Sequence, residues 1–473
     1  MRTPNVVYIM ADDMGYGDVG CFNSDSKIPT PNMDRIASEG VRFTDAHSSS
    51  AVCTPSRYSV LTGRYCWRTR LKGGVQGGYG LPLIDPGRMT VAGLLKQRGY
   101  ATAAVGKWHV GFEWQPAETG PGIDFNMWDD GGGVDFNKPI IGGPCDVGFD
   151  YFFGIAGSLD MAPYCFIENR QTVGIPSEPK KTYYAQQRQG PQTPDWDDTQ
   201  VDVELRNKAV AWLEATHEES ADQPFFLYLT PSNPHRPCVP PEFARGKSRA
   251  GLRGDCVWTV DWLVGEIDAC LERLGVKDNT LIMVTSDNGA RPADVDGDLH
   301  GHKSCGDLRG YKADIWEGGH RVPLVARWPH VAEGGRTVDA TVCLMDLMAT
   351  AAEITEQHLP DNAAEDSYSL LGLLSGESDG PSRPSLIHHS VCGMFALRDG
   401  DWKICCGLGS GGFSEPRSGQ PVPGGPAGQL YNLDEDLGET TNQYAEHPER
   451  VESMLATVQT AKNTGRTRPA RTD

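Results

Sequence analysis

The sequence lacks several features that would assign it to other classes of protein. No stretch approaches the ~20 consecutive apolar residues of a membrane-spanning helix. No secretory signal precedes the first apolar run, Asn5–Met10, which already reads as a buried strand. We therefore expect no membrane span. We expect a cytoplasmic location for the chain as written, or a periplasmic or secreted location if a leader has been removed.

Paired cysteines and an excess of positive charge are absent as well. The 13 cysteines are scattered without a Cys-x-x-Cys pair, so neither a zinc knot nor a disulfide framework is indicated. The formal net charge is −20, whereas phosphate binding needs a cationic face, so we expect no nucleic-acid partner. An anionic substrate would need a local cluster of Arg, Lys and His within this acidic protein.

The order of apolar runs predicts an α/β fold. A chain of 473 residues suits one large domain and a smaller one. Short apolar runs alternate with helical patterns, which indicates a large, mainly parallel sheet sandwiched by helices. The predicted strands are Val6–Met10, Ala101–Val105, Phe225–Thr230, Leu281–Thr285 and Pro323–Arg327. The predicted helices are Asn32–Ser38, Thr90–Gln97, Val201–Thr216, Asp255–Leu274 and Val342–Glu353. Residues 110–200 show little periodicity, and we expect long loops there.

The pattern becomes antiparallel after about residue 385. Asp399-Gly400 separates two short apolar segments, which is a strong hairpin signal. Gln429–Leu433 is predicted to form another strand, and Pro448–Ala461 a closing helix. We therefore predict a large α/β domain over residues 1–384. A small domain with an antiparallel sheet and a helix is predicted over residues 385–473.

Residues 53–64 place a thiol and a guanidinium one helical turn apart. Pro55 suits the first turn of a helix and Gly63 suits its end, so a helix starting at Pro55 or Ser56 is predicted. Cys53 would lie at its N-terminus, where free N–H groups favour an anion, with Arg57 beside it. The alternative is a small buried cysteine and a surface arginine.

Polar side chains also follow four of the predicted strands. The carboxyl ends of parallel strands meet at one edge of a sheet, where ligands bind. Singly, each residue has a plain explanation as a turn, a cap or a surface histidine, but all fall at this edge. Four of them offer hard oxygen ligands that suit Ca²⁺ or Mg²⁺ better than zinc. The four are Asp12, Asp13, Asp287 and Asn288. The other candidates are Lys107, His109 and His235.

These motifs resemble those of the type I sulfatases, members of the alkaline phosphatase superfamily. Cys53-Thr-Pro-Ser-Arg57 followed by Leu61-Thr-Gly-Arg64 matches the signature of that family, with Val60 where Leu is usual. Gly-Lys-Trp-His, Pro-His-Arg-Pro and the block from Leu308 to Pro323 that contains Lys312 are similar to further family motifs. The resemblance implies a sulfuric ester hydrolase with bound Ca²⁺. It also implies that a formylglycine-generating maturation enzyme oxidises Cys53 to formylglycine.

The same resemblance suggests a role for each residue. Arg57 and the metal hold the hydrated formylglycine, and Asp287 helps to deprotonate the hydroxyl that attacks sulfur. Lys107 and Lys312 balance charge on the sulfate. His235, together with Lys312, protonates the leaving oxygen, and His109 removes a proton from the second hydroxyl.

Two alternatives stay open from the sequence. One is a phosphodiester or phosphonate monoester hydrolase of the same superfamily. Such relatives tend to carry His after the second metal Asp, where this chain has Asn288. The other is a non-catalytic protein that binds sulfated glycans, which the full set of polar residues disfavours.

The substrate is expected to be a sulfated small molecule or glycan, most often a sulfated carbohydrate in this family. Substrate contacts are predicted in the loops near the site, because loops on a rigid scaffold carry specificity. The predicted contacts are His300, His302, Lys303 and Arg291. Trp114, Trp128 and Trp196 are predicted either to stack on sugar rings or to pack loops onto the sheet.

Overall fold

The computed structural model describes residues 3–118, 123, 133–183, 187–291 and 300–470. Among these residues, no helix combines the length and the apolar character needed to cross a lipid bilayer. The strands, in chain order, are β1 (Asn5–Ala11), β2 (Val41–Phe43), β3 (Ala46–His47), β4 (Ala101–Lys107), β5 (Tyr151–Ile155), β6 (Phe166–Glu168), β7 (Gln171–Val173), β8 (Glu178–Pro179), β9 (Pro191–Gln192), β10 (Phe225–Thr230), β11 (Thr280–Ser286), β12 (Leu324–Arg327), β13 (Arg336–Val338), β14 (Val342–Cys343), β15 (Leu386–His389), β16 (Phe395–Asp399), β17 (Trp402–Cys405) and β18 (Gln429–Asn432). The helices are α1 (Pro31–Glu39), α2 (Cys53–Thr62), α3 (Val91–Lys96), α4 (Val201–Glu219), α5 (Gly251–Arg273), α6 (Glu317–His320), α7 (Leu347–Ile354), α8 (Leu371–Ser375) and α9 (Pro448–Thr464).

A ten-stranded sheet forms the centre of the molecule, in the order β13-β2-β12-β11-β1-β10-β4-β5-β6-β7. Strands β11, β1, β10, β4 and β5 are mutually parallel. The predicted fold class, a mainly parallel sheet covered by helices, is therefore confirmed. The outer part is mixed, because β12 runs antiparallel to β11 and β6 runs antiparallel to β5.

Helices cover both faces of this sheet, and strand β1 shows why. Val6, Tyr8 and Met10 pack into one hydrophobic core, while Val7 and Ile9 pack into the other. Successive side chains of a strand point to opposite faces, so an uninterrupted apolar strand needs cover on both sides. The first core is completed by α2, α3 and α7, and the second by α1, α4 and α5.

Two parts of the large sheet differ from the sequence-based prediction. Residues 110–200 were expected to be loops, but they include β5, the fifth parallel strand. The local signal, Tyr-Phe-Phe-Gly-Ile, is only five residues long and lies among segments rich in Gly and Asp. The predicted helix Val342–Glu353 is also shorter than expected. Its first residues pair with β3 as strand β14, and the α-helix begins at Leu347.

A second sheet of four antiparallel strands follows in the order β15-β16-β17-β18, as predicted from the hairpin signal. Helix α9 packs against it through Val451, Met454 and Val458. A buried ion pair connects this sheet to the short helix α6, because Lys403 Nζ on β17 lies 3.0 Å from Glu317 Oε1. Both side chains are fully buried, so the pair ties β17 to α6 at a desolvated contact.

Candidate active site

The carboxyl ends of the parallel strands bring the predicted polar residues to one place. Ala11, at the end of β1, lies opposite Ser286, at the end of β11, so the residues that follow the two strands are neighbours. The backbone N–H of Asp13 donates to Asp287 Oδ1 over 3.2 Å. The side-chain amide of Asn288 donates to Asp13 Oδ1 over 2.7 Å. All of these residues are at most 1% exposed.

Helix α2 carries Cys53 into this acidic cluster. The helix begins at Cys53, two or three residues earlier than predicted, and ends at Gly63, whose φ of 63° is left-handed. All ten of its residues are buried. Cys53 Sγ lies 3.5 Å from Asp12 Oδ1 and accepts a contact from Lys312 Nζ at 3.4 Å. The thiol is therefore held at the N-terminus of a buried helix, between the carboxyl group of Asp12 and the amino group of Lys312.

Three cations face the three carboxylates of the cluster. Arg57 Nε donates to Asp287 Oδ2 over 3.0 Å, and Arg57 Nη1 donates to the carbonyl of Lys107 over 2.9 Å. Lys107 Nζ lies 2.6 Å from Asp12 Oδ2, and Lys312 Nζ lies 2.7 Å from Asp13 Oδ2. The side-chain charges of this group cancel within the described residues, which makes the burial of so many ionised groups tolerable.

The electrostatics of the carboxylates are strongly perturbed. Burial raises the pKa of Asp12 to about 7, with Lys107 opposing it and Asp287 and Asp13 adding to it. Burial acts on the Asp287 carboxyl in the same direction, but Arg57 and the two lysines outweigh it and lower its pKa. Burial also raises the pKa of the Cys53 thiol. An unmodified Cys53 is therefore held as a thiol, which is a poor nucleophile.

Two histidines complete the site, and each has one ring nitrogen committed to a carbonyl. His109 Nε2 lies 2.7 Å from the carbonyl oxygen of Gln76, and His235 Nδ1 lies 2.8 Å from that of Arg236. A carbonyl only accepts, so these two nitrogens carry the hydrogen. His235 Nε2 then faces Asp13 Oδ2 at 3.6 Å, and His109 Nδ1 is buried without a hydrogen-bond partner. Burial and the nearby lysines lower the pKa of both imidazoles.

Three residues at this site have a strained backbone conformation. Asp13, His109 and Ala313, which follows Lys312, have φ values of 68°, 56° and 80°, a left-handed region that side chains disfavour. Glycine is required where loops approach closely. A Cβ on Gly289 would lie 1.8 Å from the carbonyl oxygen of Gly318, which explains the glycine of the Asp-Asn-Gly turn.

A cavity of about 150 Å³ opens onto Cys53. It is lined by side chains that sequence reasoning identified and by others that it missed. The identified residues are Cys53, His109, His235, Arg291 and Lys312. The missed ones include Asp160, Arg188, Arg236, Val391 and Phe413. Gln76 was missed too, because it acts through its backbone carbonyl, which carries no signal in the sequence.

The other predicted substrate contacts have different surroundings. His302 is 2% exposed and its Nε2 lies 2.8 Å from Asp18 Oδ1, while Lys303 is exposed and pairs with Asp307 at 2.9 Å. His300 is exposed, and its carbonyl accepts from Lys27. None of the three lines the cavity in the described part of the chain. The structure therefore gives no support for a substrate contact by these residues.

The tryptophans pack within the protein. Trp114 is 2% exposed, donates to the carbonyl of Gly78 and contacts Phe136. Trp196 contacts Phe166. Trp128 lies outside the described residues. Of the two readings left open by the sequence, loop packing is the one observed for Trp114 and Trp196.

A buried carboxylate cluster, a residue at a helix N-terminus and a ring of fixed cations define an enzyme site for a small anionic ester. The chain belongs to the sulfatase family, whose model matches residues 4–357. It is 34% identical to an N-acetylgalactosamine-6-O-sulfatase of Bacteroides thetaiotaomicron, over 98% of this chain and 93% of that protein. It is 33% identical to human arylsulfatase A, over 85% and 74% of the two chains. The protein is thus a sulfuric ester hydrolase.

Solved structures agree with this assignment. One solved structure is a sulfatase that was described in connection with glycosaminoglycan metabolism by Bacteroides thetaiotaomicron. It superposes with a TM-score of 0.83 at 31% identity, and the match covers 98% of this chain and 100% of that one. The PsFucS1 sulfatase from Pseudoalteromonas sp. superposes with a TM-score of 0.75 at 27% identity, covering 98% and 91%. The similarity spans both sheets of the fold.

Proposed function

We propose that this sulfatase hydrolyses sulfate esters of a sulfated carbohydrate, with the sugars of glycosaminoglycans as its substrate class. In this proposal, catalysis uses a formylglycine made from Cys53 and a bound calcium ion. The observation that carries it is the position of Cys53 Sγ, 3.5 Å from Asp12 Oδ1 and 3.4 Å from Lys312 Nζ at the base of the cavity. The similarity to an N-acetylgalactosamine-6-O-sulfatase supports the substrate class.

The acidic cluster fits a calcium ion. Asp12, Asp13 and Asp287 offer carboxylate oxygens, and Asn288 Oδ1 is a buried oxygen without a hydrogen-bond partner. An oxygen-only donor set suits Ca²⁺. When bound, the ion polarises a sulfate oxygen and adds positive charge next to the anionic ester. The lysines and Arg57 have already neutralised the carboxylates, so this added charge favours the substrate.

Position 53 is suited to a modified side chain. A hydrated formylglycine supplies one hydroxyl as the nucleophile and a second through which sulfate is released. The Sγ atom of Cys53 marks the place of these oxygens, among Asp12, Lys312 and the N-terminus of α2. Arg57, one turn along the helix, fixes Asp287 so that its carboxylate can take the proton of the attacking hydroxyl. A formylglycine-generating maturation enzyme is therefore a proposed partner.

The two histidines divide the remaining proton transfers. Because His235 Nδ1 donates to the Arg236 carbonyl, Nε2 is the nitrogen that can pass a proton to the leaving alcohol oxygen. Burial lowers the pKa of this imidazole, so the proton that it passes on is supplied by the cationic Lys312. His109 Nε2 donates to the Gln76 carbonyl, which leaves Nδ1 to take the proton of the second hydroxyl. Lys107 and Lys312 hold the sulfate oxygens, the preorganised electrostatic contribution that usually dominates.

The division into a catalytic domain over residues 1–384 and a small domain over residues 385–473 belongs to the same proposal. The start of the four-stranded sheet at Leu386 supports the boundary. Val391 and Phe413 from the small domain line the cavity, so this domain contributes to the substrate side of the site.

Mass spectrometry and sulfate release test the proposal together. The tryptic peptide 43–57 should carry an aldehyde or its hydrate in place of the thiol. Cys53→Ala should abolish sulfate release from 6-sulfated N-acetylgalactosamine. Cys66→Ala, another buried cysteine outside the site, serves as the matched control. Full activity of Cys53→Ala, or an active enzyme whose peptide is entirely unmodified, would contradict the mechanism.

A further inference from the structure

Asp160 has one carboxylate oxygen that accepts no hydrogen bond from the residues that the structure describes. The residue is 1% exposed, and its Oδ2 accepts from Arg236 Nε at 3.0 Å and from Arg188 Nη1 at 3.2 Å. Its Oδ1 is buried without a hydrogen-bond partner, although the residue lines the cavity above Cys53. A buried acceptor left unsatisfied is costly, so such an atom in a binding cavity indicates a missing donor.

The neighbouring histidine does not supply this donor. His235 Nδ1 is 3.9 Å from Asp160 Oδ1, and its hydrogen is directed to the carbonyl of Arg236 at 2.8 Å. The two arginines approach the other oxygen. They hold the carboxylate in one orientation, with Oδ1 left for a ligand in the cavity.

The position of Asp160 relates it to the reacting group. His235 lies between the two acids, with Nδ1 3.9 Å from Asp160 Oδ1 and Nε2 3.6 Å from Asp13 Oδ2. Asp160 and Asp13 are therefore separated by one imidazole ring and by the gaps of 3.9 and 3.6 Å on its two sides. Asp160 and Cys53 line the same cavity, so a ligand whose sulfate lies at Cys53 can extend its ring towards Asp160 Oδ1.

The size of the cavity limits what reaches this atom. A cavity of about 150 Å³ holds one six-membered ring, since a protein cavity of roughly that size binds benzene. A carboxylate held by two guanidiniums through one oxygen can accept a hydrogen bond from a neutral hydroxyl at the other oxygen. A sulfated sugar offers such a hydroxyl on its ring, one or two carbons from the sulfated carbon, and a simple aryl sulfate does not.

We propose that Asp160 determines specificity for sugar sulfates by accepting a hydrogen bond from a ring hydroxyl of the sulfated sugar, with Arg188 and Arg236 as its positioning residues. This inference rests on the proposed function and adds the feature of the substrate that the site recognises. Hydrogen bonds to charged groups contribute enough that loss of this contact should cost roughly 10- to 100-fold in kcat/KM for the sugar substrate.

The test compares two substrates of the full-length, matured enzyme. The first is the sulfated monosaccharide that the wild type hydrolyses best among defined sulfated hexosamines, and the second is 4-nitrophenyl sulfate. Asp160→Asn should lower the ratio of kcat/KM for the sugar to that for the aryl ester by roughly 10- to 100-fold. Asp146→Asn removes a similar Asp–Arg pair, with Arg170 at 2.7 Å, outside the cavity, and should leave the ratio unchanged.

Deoxy analogues of the same sugar identify the contact. In the wild type, removal of the contacted hydroxyl should cost about as much as Asp160→Asn, and in the variant it should cost little more, because the interaction is already lost. Arg188→Lys should lower the ratio of kcat/KM values as well, by a smaller factor. This variant replaces Asp160→Asn in the test if Asp160→Asn does not fold.

Three results would overturn the inference. Asp160→Asn could lower kcat/KM equally for both substrates, or it could leave both values unchanged. Its effect on kcat/KM could also add fully to the effect of every deoxy analogue. Failure of the proposed function is recognised separately, because the wild type would then release no sulfate from any sugar.

Discussion

Arg57 and Asp287 lie 230 residues apart in the sequence and form a fully buried ion pair, with Nε and Nη2 of the guanidinium 3.0 and 2.8 Å from the same carboxylate oxygen. The pair joins the helix that carries Cys53 to the turn after strand β11. The planar guanidinium also reaches the carbonyl of Lys107, so one side chain connects helix α2 to the ends of strands β11 and β4. The geometry of this guanidinium therefore affects the positions of both Asp287 and residue 53.

Replacement of this arginine by lysine should separate charge from geometry. Arg57→Lys keeps the charge but loses the planar fork, and we expect kcat/KM for sulfate esters to fall by roughly 100-fold or more. Steady-state kinetics with an aryl sulfate measures the effect. Arg64→Lys, beyond the end of the same helix, is the control and should remain active. Wild-type kinetics for Arg57→Lys would show that the fork is not needed.

His109 should act on turnover more than on binding. Its Nδ1 has no hydrogen-bond partner among the described residues, while Nε2 is held by the Gln76 carbonyl. We expect His109→Gln to lower kcat by about 10²- to 10⁴-fold, the range for loss of a general base, with a small change in KM. His217→Gln at the end of α4 is the matched control. An unchanged kcat would remove His109 from the proton transfers.

Calcium should stabilise the folded protein through the acidic cluster. A ligand that binds only the native state at 100 times its Kd adds about 2.7 kcal/mol, so calcium added to chelator-treated protein should raise the Tm. Differential scanning fluorimetry measures this without reference to activity. Asp287→Asn should abolish the rise, while the exposed Asp307→Asn should retain it. A wild-type Tm that does not change when calcium is added would refute the metal assignment.

The pairing of Asp18 with Arg253 and His302 should be structural. Arg253 Nη2 lies 2.7 Å from Asp18 Oδ2, and both side chains are buried. Although burial acts to raise it, Arg253 and His302 lower the pKa of Asp18 from 3.8 to about 2. Removal of one partner leaves a buried charge unpaired, so Asp18→Asn should cost about 3 kcal/mol of stability at neutral pH.

The sign of the pH dependence follows from this lowered pKa. The folded state holds the proton of Asp18 more weakly than the unfolded chain, so its contribution is complete above pH 4. The contribution is lost as the pH falls towards about 2. The gap in Tm between wild type and Asp18→Asn should therefore close over this interval. A gap that stays constant would contradict the assignment, and Asp307→Asn should show no gap at any pH.

Local sequence patterns predicted the elements that face the site. Strands β1, β10 and β11 are mainly apolar runs that end one or a few residues before their polar groups, and β4 ends at the site residue Lys107 itself. Such runs are readable because a parallel strand is buried on both faces. The helix stop at Gly63 was readable as well, since only a left-handed residue ends the helix there.

Other elements were not readable, for reasons that lie in the tertiary structure. Strand β12 was predicted, but its antiparallel direction depends on pairing with β11, which no local pattern encodes. Helix α2 begins at Cys53, although Pro55 suggested a later start. A proline is tolerated within the first turn, because a backbone N–H at that position would have no partner inside the helix. His302 follows the proposed metal ligands Asp287 and Asn288 in the sequence, yet its ring is directed to Asp18.

The sequence by itself determined the chemical groups of this sulfatase and their order along the chain, because motifs such as Cys-x-Pro-Ser-Arg and the polar ends of apolar strands are local features. Only the tertiary structure decided which groups satisfy one another. The Arg57–Asp287 pair and the unsatisfied oxygen of Asp160 result from contacts between distant segments, and hydrogen-bond partners are set by side-chain direction in the folded chain.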